Sequence, residues 1–164
     1  MNKFAIEFRW AIIFSVMMLL WMVFEKNMGW HDAHIDKQAI YTNFFGVFAI
    51  VTYFLAINQK KKIYYKGNMN WTQGFLSGLL LSFFIAIISP IVQYVTFTYI
   101  TPDFFKNFIV YAVERKIYDA AAAEAYFSMN SYIIQGIAGS MSMGVITSAL
   151  VALFVKSKPT NANK

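Results

Sequence analysis

The third apolar run of the chain, residues 75–99, reads FLSGLLLSFFIAIISPIVQYVTFTY and contains no charged residue. An α-helix rises ~1.5 Å per residue, so about 20 residues cover the ~30 Å hydrocarbon layer of a bilayer. Other apolar runs in the chain reach similar lengths. We therefore expect an all-α integral membrane protein with four transmembrane helices, at about residues 4–24, 39–57, 72–99 and 131–155.

The composition supports a membrane protein over a soluble domain. Hydrophobic residues make up 59% of the 164 residues and charged residues only 13%, where a soluble domain averages about 25% charged residues. Short connections leave room for one membrane domain, residues 1–158, and a short polar tail at 159–164. The chain has no cysteine, which excludes a disulfide framework, a thiolate nucleophile and a cysteine-ligated metal.

The charges separate by sign between the two sides of the four spans. Residues 1–9, the connection between the second and third spans, and the segment after the fourth span hold nine basic residues and one acid, a net charge of +8. The other two connections hold five basic and seven acidic residues, a net charge of −2. Because short loops rich in Lys and Arg stay in the cytoplasm, we expect both termini inside. The overall charge of +6 then reflects topology rather than binding of nucleic acid.

Three consecutive lysines, Lys60, Lys61 and Lys62, lie in the basic connection between the second and third spans. We expect them to contact anionic lipid headgroups, an interaction worth about 1 kcal/mol per charge near the membrane surface. A site for one specific headgroup or phosphate is the alternative interpretation.

Small residues recur at every fourth position along the third and fourth spans. Residues four apart share one helix face, so each helix should present a narrow groove that another backbone can approach closely. We expect the two antiparallel spans to pack groove to groove, with a homodimer seam as the alternative. The ladders are Gly74, Gly78, Ser82 and Ala86 in the third span, and Gly136, Ser140, Gly144 and Ser148 in the fourth.

Pro90 lies inside the third span. Because proline has no backbone N–H, it removes one helical hydrogen bond and should kink the helix. The kink is either a fixed bend or a hinge, and the sequence leaves both possibilities open.

Three amides, Asn43, Gln93 and Gln135, are expected at similar depth near the outer ends of three different spans. Unpaired amides are costly in hydrocarbon, so these side chains need hydrogen-bond partners. They are expected either to join the helices or to line a shallow pocket that opens outward, for a lipid or for a segment of a partner. No acid or base is expected in mid-membrane, which argues against an ion pump or a proton relay.

The first outer connection contains His31 and His34, which would share a face if this segment were helical. With Asp32 or Asp36 they are the residues that would bind zinc or manganese. Asp36 could instead cap the second span, and the histidines could lie among the lipid headgroups. We expect no metal and no other cofactor.

The second outer connection begins with Thr101-Pro102-Asp103, an order typical of a helix N-terminus with Thr101 as the capping residue. Apolar residues then recur at helical spacing from Phe105 to Val113, which predicts an amphipathic helix lying in the outer interface. A second short helix is expected to begin at Asp119.

Several short stretches of the chain together resemble one known family. They are Trp10-Ala11-Ile12-Ile13-Phe14, Glu25-Lys26 followed by His31-Asp32, Ile40-Tyr41-Thr42-Asn43, Thr72-Gln73-Gly74-Phe75, Ser89-Pro90 with Thr101-Pro102, and Ser131-Tyr132-Ile133-Ile134-Gln135-Gly136. The pattern resembles the Gram-negative inner-membrane family catalogued as domain of unknown function 4199, and it covers nearly the whole chain. The resemblance implies four spans in the bacterial inner membrane. It implies no established activity and no catalytic residue.

These features favour a non-enzymatic membrane protein that serves as an accessory or structural subunit of an envelope process. Its expected contacts are membrane lipid and either a membrane-protein partner or a second copy of the chain, with no nucleic acid. The alternative is a small transporter or flippase for a lipid or a polyprenyl-linked sugar, which the amides, the proline and the basic connection favour. An enzyme is disfavoured because the sequence fixes no acid pair beside His31 and His34.

Overall fold

Four apolar segments form the long helices of the protein. The computed structural model describes residues 4–157, and within that range four helical stretches are long and apolar enough to cross a membrane. No β-strand occurs among these described residues. The polar tail expected at residues 159–164 lies outside them. The four stretches are Ala5–Asn27, Ile35–Ile63, Trp71–Ile100 and Met129–Val155.

Seven α-helices, numbered in chain order, make up most of residues 4–157. They are α1 (Ala5–Asn27), α2 (Ile35–Tyr41), α3 (Phe45–Ile63), α4 (Trp71–Val95), α5 (Phe104–Glu114), α6 (Ala120–Tyr126) and α7 (Met129–Val155). A 3₁₀ turn, Thr42–Phe44, joins α2 to α3, and a π-helical turn, Thr96–Ile100, follows α4. The second and third spanning stretches therefore each change their helical pitch near one end.

Short polar side chains begin three of the helices. Asn70 and Gln73 form a capping box at the start of α4, in which each side chain accepts a 2.9 Å hydrogen bond from the other residue's backbone N–H. Asp119 and Ser128 accept hydrogen bonds from N–H groups in the first turns of α6 and α7. These caps satisfy donors that a helix end would otherwise leave unpaired.

Helix α5 begins later than its proline-containing pattern predicts, and the expectation that Thr101 caps it is wrong. The N–H of Thr101 donates to the carbonyl of Thr96 at 2.8 Å, so Thr101 closes the π turn instead of capping α5. No side chain caps this helix, which starts at Phe104. Its buried residues are Phe104, Phe108 and Ala112, at helical spacing along one face.

The four long helices form a bundle in which α4 is central. It packs most extensively against α7 and next against α1, while α3 packs against α7 and α1. We call the end where α1 begins and α7 ends the terminal end, and the opposite end, with α2, α5 and α6, the loop end. The core toward the terminal end includes Tyr53, Ile57, Leu81 and Val151, and the core at the loop end includes Met22, Phe97, Phe104 and Phe108.

Candidate functional site

Small residues that face one another on α4 and α7 close the terminal half of the bundle. A Cβ added to Gly78 would lie 2.5 Å from the Cβ of Ser148, and one added to Gly144 would lie 2.5 Å from the Cβ of Ser82. Tyr53 of α3 forms a 2.7 Å hydrogen bond with the Ser82 hydroxyl. The parts of the two ladders around Gly78 and Gly144 thus meet within one chain, and this close contact leaves no space there for a ligand or another helix.

Toward the loop end, α3 and α7 diverge and a pocket of about 340 Å³ opens among the four long helices. A Cβ added to Gly46 of α3 or to Gly139 of α7 would meet no atom within 4 Å, so both glycines border open space. Gly46, Ile50 and Met143 line the pocket and are themselves exposed. The pocket therefore opens sideways, between α3 and α7, where a membrane would surround the bundle.

The three amides predicted to share a site are not brought together. Gln93 lines the pocket, and its Nε2 donates to the backbone oxygen of Tyr132 at 3.5 Å. Asn43 is exposed and donates its Nδ2 to the carbonyl one turn earlier at 2.7 Å. Gln135 is also exposed and donates its Nε2 to the hydroxyl one turn earlier at 2.8 Å. Only Gln93 belongs to the pocket, since the other two amides bond within their own helical segments.

Four hydroxyl residues line the pocket beside Gln93, the serines at positions 15, 89 and 140 and Thr147. Ser15, Ser89 and Ser140 each donate their proton to a carbonyl of their own helix, over 2.8, 3.1 and 2.9 Å. A hydroxyl that has donated its one proton keeps only acceptor capacity. The polar surface that these serines present to the pocket is therefore made of hydrogen-bond acceptors.

Pro90 lies beside the pocket, and α4 continues through it as a helix. Its missing N–H deprives the carbonyl oxygen of Ala86 of the usual helical partner. The hydroxyl of Ser89 donates to that oxygen at 3.1 Å. Ser89 thus satisfies the group that Pro90 leaves unpaired, in the way that hydroxyl side chains accommodate prolines in membrane helices.

A buried ion pair lies at the terminal end, and it corrects the headgroup contact expected of Lys60. This side chain is only 4% exposed, and its Nζ lies 2.9 Å from Oε1 of Glu7, a residue that is 1% exposed. Ser77 donates to the same oxygen at 2.7 Å. Lys61 donates to the last backbone oxygen of α7 at 2.8 Å, and Lys62 is exposed. Helix rotation separates the three lysines, and α3 turns Lys60 inward.

A second buried pair lies at the loop end. The Nε2 of His31, a residue 2% exposed, lies 3.0 Å from Oε2 of the fully buried Glu25. The Trp21 indole donates to the other oxygen of that carboxylate, and Asn107 of α5 donates to the His31 carbonyl at 2.9 Å. His34, by contrast, is exposed. Residues 4–157 contain no group of three or more His, Cys, Asp or Glu side chains that could hold a metal.

Glu7 and Glu25 are both buried inside the protein, which was not predicted from the sequence. The spacing of small residues along α1 could have revealed this. Glu7, Ala11, Ser15, Met22 and Glu25 recur at intervals of three, four or seven residues, so they share one face, and all of them are buried. A carboxylate in line with Ala and Ser on a membrane helix indicates the protein-facing side.

A protein-family model described as "Protein of unknown function (DUF4199)" matches residues 9–157. No curated protein and no solved structure matches the chain. The family match includes every residue that lines the pocket, and its description assigns no activity to it.

Proposed function

Because the chain belongs to DUF4199, a family of proteins of unknown function, we propose its function from the pocket between α3 and α7. The protein binds the apolar chain of a membrane lipid there. It catalyses no reaction and serves as an accessory or structural subunit of an envelope process in the bacterial inner membrane. The observation that carries this proposal is the sideways opening of the pocket at Gly46, Ile50 and Met143.

The size and lining of the pocket suit an apolar chain. Its volume of about 340 Å³ lies within the range of ~300–1,000 Å³ found for small-molecule sites. Phe14, Met18, Phe45 and Val92 supply much of an apolar wall. A lipid chain in the surrounding bilayer can enter from the side without crossing water. Filling the pocket restores the dispersion contacts that an empty cavity loses.

The chemistry of the lining favours binding over catalysis. No acid, base or cation lines the pocket. A serine needs an adjacent base to act as a nucleophile, and the protons of Ser15, Ser89 and Ser140 are instead donated to carbonyls of their own helices. The pocket can hold a ligand by these groups, but it offers no group that would transform one.

The terminal end is placed on the cytoplasmic side in this proposal. Arg9, Lys62, Lys66 and Lys156 are exposed there, and such a basic excess marks the cytoplasmic side of short connections. The burial of Lys60 with Glu7 leaves this argument unchanged, because the pair removes one charge of each sign. The pocket, which lies toward the loop end, then faces the outer leaflet.

Cross-linking in liposomes tests the lipid-binding proposal. A phospholipid with a photoactivatable group in one chain should label pocket residues of α3 and α7 in the wild-type protein. Gly139→Leu should abolish most of that labelling, because the new side chain enters open space in the pocket. Ala138→Leu is the matched control, since Ala138 is exposed and lies outside the pocket.

Gly46→Leu repeats the test from the α3 side. Labelling spread evenly over every lipid-facing position, and unchanged in both glycine variants, would count against the pocket as a lipid site.

A small transporter or flippase for a lipid or a polyprenyl-linked sugar is the second candidate function. Pro90 beside the pocket favours it, because a proline in a spanning helix can act as a hinge. The closed seam at Gly78 and Gly144 argues against a path through the bundle. Proteoliposomes carrying a fluorescent lipid separate the two proposals. Lipid binding alone leaves the rate of transbilayer movement equal to that of empty liposomes, and a faster rate supports transport.

An accessory role requires a partner. Because the small-residue ladders pair within one chain, a homodimer would have to use another surface. We expect a pulldown from native membranes in mild detergent to recover a stoichiometric membrane-protein partner. Recovery of the chain alone, with lipid, would favour an independent lipid-binding protein over a subunit.

A further inference from the structure

We infer that the lipid bound in the pocket carries a hydrogen-bond donor, a hydroxyl or an amide N–H, at the polar end of its apolar chain. This inference rests on the proposed function above and narrows the class of ligand. The feature behind it is the pattern of donors and acceptors that the pocket presents, with Gln93 at its centre.

The amide of Gln93 is oriented by α7. Its Nε2 is directed at the backbone oxygen of Tyr132, and a Cβ on Gly136 would lie only 2.7 Å from that nitrogen. The nitrogen therefore lies directly against the α7 backbone. The reverse orientation would bring two carbonyl oxygens together, so Oε1 is the atom that faces away from Tyr132. Among residues 4–157, no donor bonds to this Oε1.

An acceptor without a partner in an apolar site is costly, because water is scarce there. Gln93 is half-buried and lines the pocket. A ligand hydroxyl or N–H beside Oε1 would supply the missing bond. A ligand that offers only ester or ether oxygens has no proton to donate and would leave Oε1 without a partner.

The serines of the pocket reinforce this selection. Ser15, Ser89 and Ser140 have used their protons on their own helices, so their oxygens can only accept. No Lys, Arg or His lines the pocket. An anionic phosphate would thus find no cation in the pocket to balance its charge, so we expect a phosphate headgroup to lie outside it.

The depth of the pocket limits the length of the chain it holds. On α4 the lining runs from Ile85 to Gln93, and on α7 it runs from Gly136 to Thr147. At ~1.5 Å per residue these stretches span about 12 and 16 Å, close to half of the ~30 Å hydrocarbon layer. The pocket therefore fits a chain of single-leaflet length and is too short for a polyprenyl chain that crosses the bilayer.

Competition between a fatty alcohol and its methyl ether tests the inference. The protein is placed in phosphatidylcholine nanodiscs, whose lipid has no donor group, and labelled with a photoactivatable fatty alcohol. Unlabelled dodecanol and dodecyl methyl ether then compete for the pocket. We expect dodecanol to compete at about fivefold lower concentration, the effect of one neutral hydrogen bond. Diacylglycerol and its methyl ether form a second pair of competitors. Comparing the two pairs shows whether the hydroxyl belongs to a two-chain lipid or to a single-chain alcohol.

Substitution of Gln93 tests whether its amide oxygen causes the advantage of the alcohol over the ether. In Gln93→Met the advantage of dodecanol should disappear while the ether competes as before, and Gln93→Leu repeats the test with another apolar side chain. Gln135→Met is the matched control, because that amide bonds within its own helix and should leave the advantage intact.

Equal competition by alcohol and ether in the wild-type protein, or an advantage that persists without Gln93, overturns the donor inference and leaves lipid binding standing. Failure of both compounds to compete, with labelling outside the pocket, would instead overturn the proposed function itself.

Discussion

Two carboxylates of α1 are buried among protein groups, and each has a basic partner from elsewhere in the chain. Glu7 pairs with Lys60 and accepts from Ser77, and Glu25 lies beside His31. The ion pair of Glu7 and Lys60 is by itself weak evidence for stability, because both charges must leave water. Breaking it by removing one partner is costly, since the other charge then stays buried without compensation.

Lys60→Met should therefore lower the free energy of unfolding by about 3–5 kcal/mol, because Glu7 loses its counter-charge. Lys62→Met, two residues away and exposed, should leave stability nearly unchanged. Unfolding in denaturing detergent, followed by circular dichroism, measures both. The double variant Glu7→Gln with Lys60→Met should recover part of the loss. Equal stability of the Lys60 and Lys62 single variants would show that the buried pair contributes nothing.

The residues of these pairs show why the sequence alone could not predict which charged side chains are buried. Lys60, Lys61 and Lys62 look alike in sequence, yet Lys60 is buried, Lys61 bonds to the end of α7 and Lys62 is exposed, because successive residues of a helix point in different directions. Which face is inward depends on partners far away in the chain, here Glu7 and Ser77. Asn43 lies in a 3₁₀ turn, is exposed and bonds within its own segment. Hydropathy alone does not reveal such a turn, so the direction of this side chain could not be predicted from it.

At the scale of elements, the seam between α4 and α7 decides how the bundle closes. The spacing of the small residues predicted a smooth face on each helix, and the antiparallel order of the spans made their pairing possible. The structure opposes Gly78 to Ser148 and Ser82 to Gly144. The same spacing could not predict the pocket, because the pocket depends on where α3 diverges from α7.

Gly78→Leu should destabilise the bundle by a few kcal/mol, because its side chain would overlap Ser148. Gly139 lies on α7, the other of the two helices, but a side chain added there enters open space, so the melting temperature of Gly139→Leu should stay close to that of the wild-type protein. Thermal melting in one detergent compares the two. Similar melting temperatures for both variants and the wild-type protein would mean that the close approach of α4 and α7 does not hold the bundle together.

Ser89 and Pro90 form a second local unit, testable by a double-mutant cycle. Ser89→Ala should cost about 1 kcal/mol, because the Ala86 carbonyl loses its hydroxyl donor. In a Pro90→Ala background the restored backbone N–H should satisfy that carbonyl, so the same change should cost little. Additive losses in the two backgrounds would show that Ser89 does not compensate for the proline.

At the scale of the whole molecule, the proposed topology rests on the length of the apolar helices and on the unequal distribution of basic residues between the two ends of the bundle. A reporter fused to the C-terminus should read as cytoplasmic, and one inserted at Lys116 should read as periplasmic. Lys116 lies in an exposed turn with a φ of 55°, which makes it a suitable insertion site. A periplasmic C-terminus would rule out the orientation proposed here and would place the pocket in the inner leaflet.

The number of spans could be predicted from the sequence because hydrocarbon thickness fixes the length that a helix must have. The pocket that we propose for lipid could not be predicted, because no motif marks it. Its opening at Gly46, Ile50 and Met143 and the unpaired amide oxygen of Gln93 become evident only when four helices from distant parts of the chain are assembled.

A structure determined in nanodiscs that contain a lipid with a brominated chain tests lipid binding most directly. We expect bromine density inside the pocket between α3 and α7, beside Gly139, and its loss from that place in Gly139→Leu. Bromine confined to the lipid around the bundle, with an empty pocket in the wild-type protein, would contradict the proposal that this membrane protein binds a lipid chain.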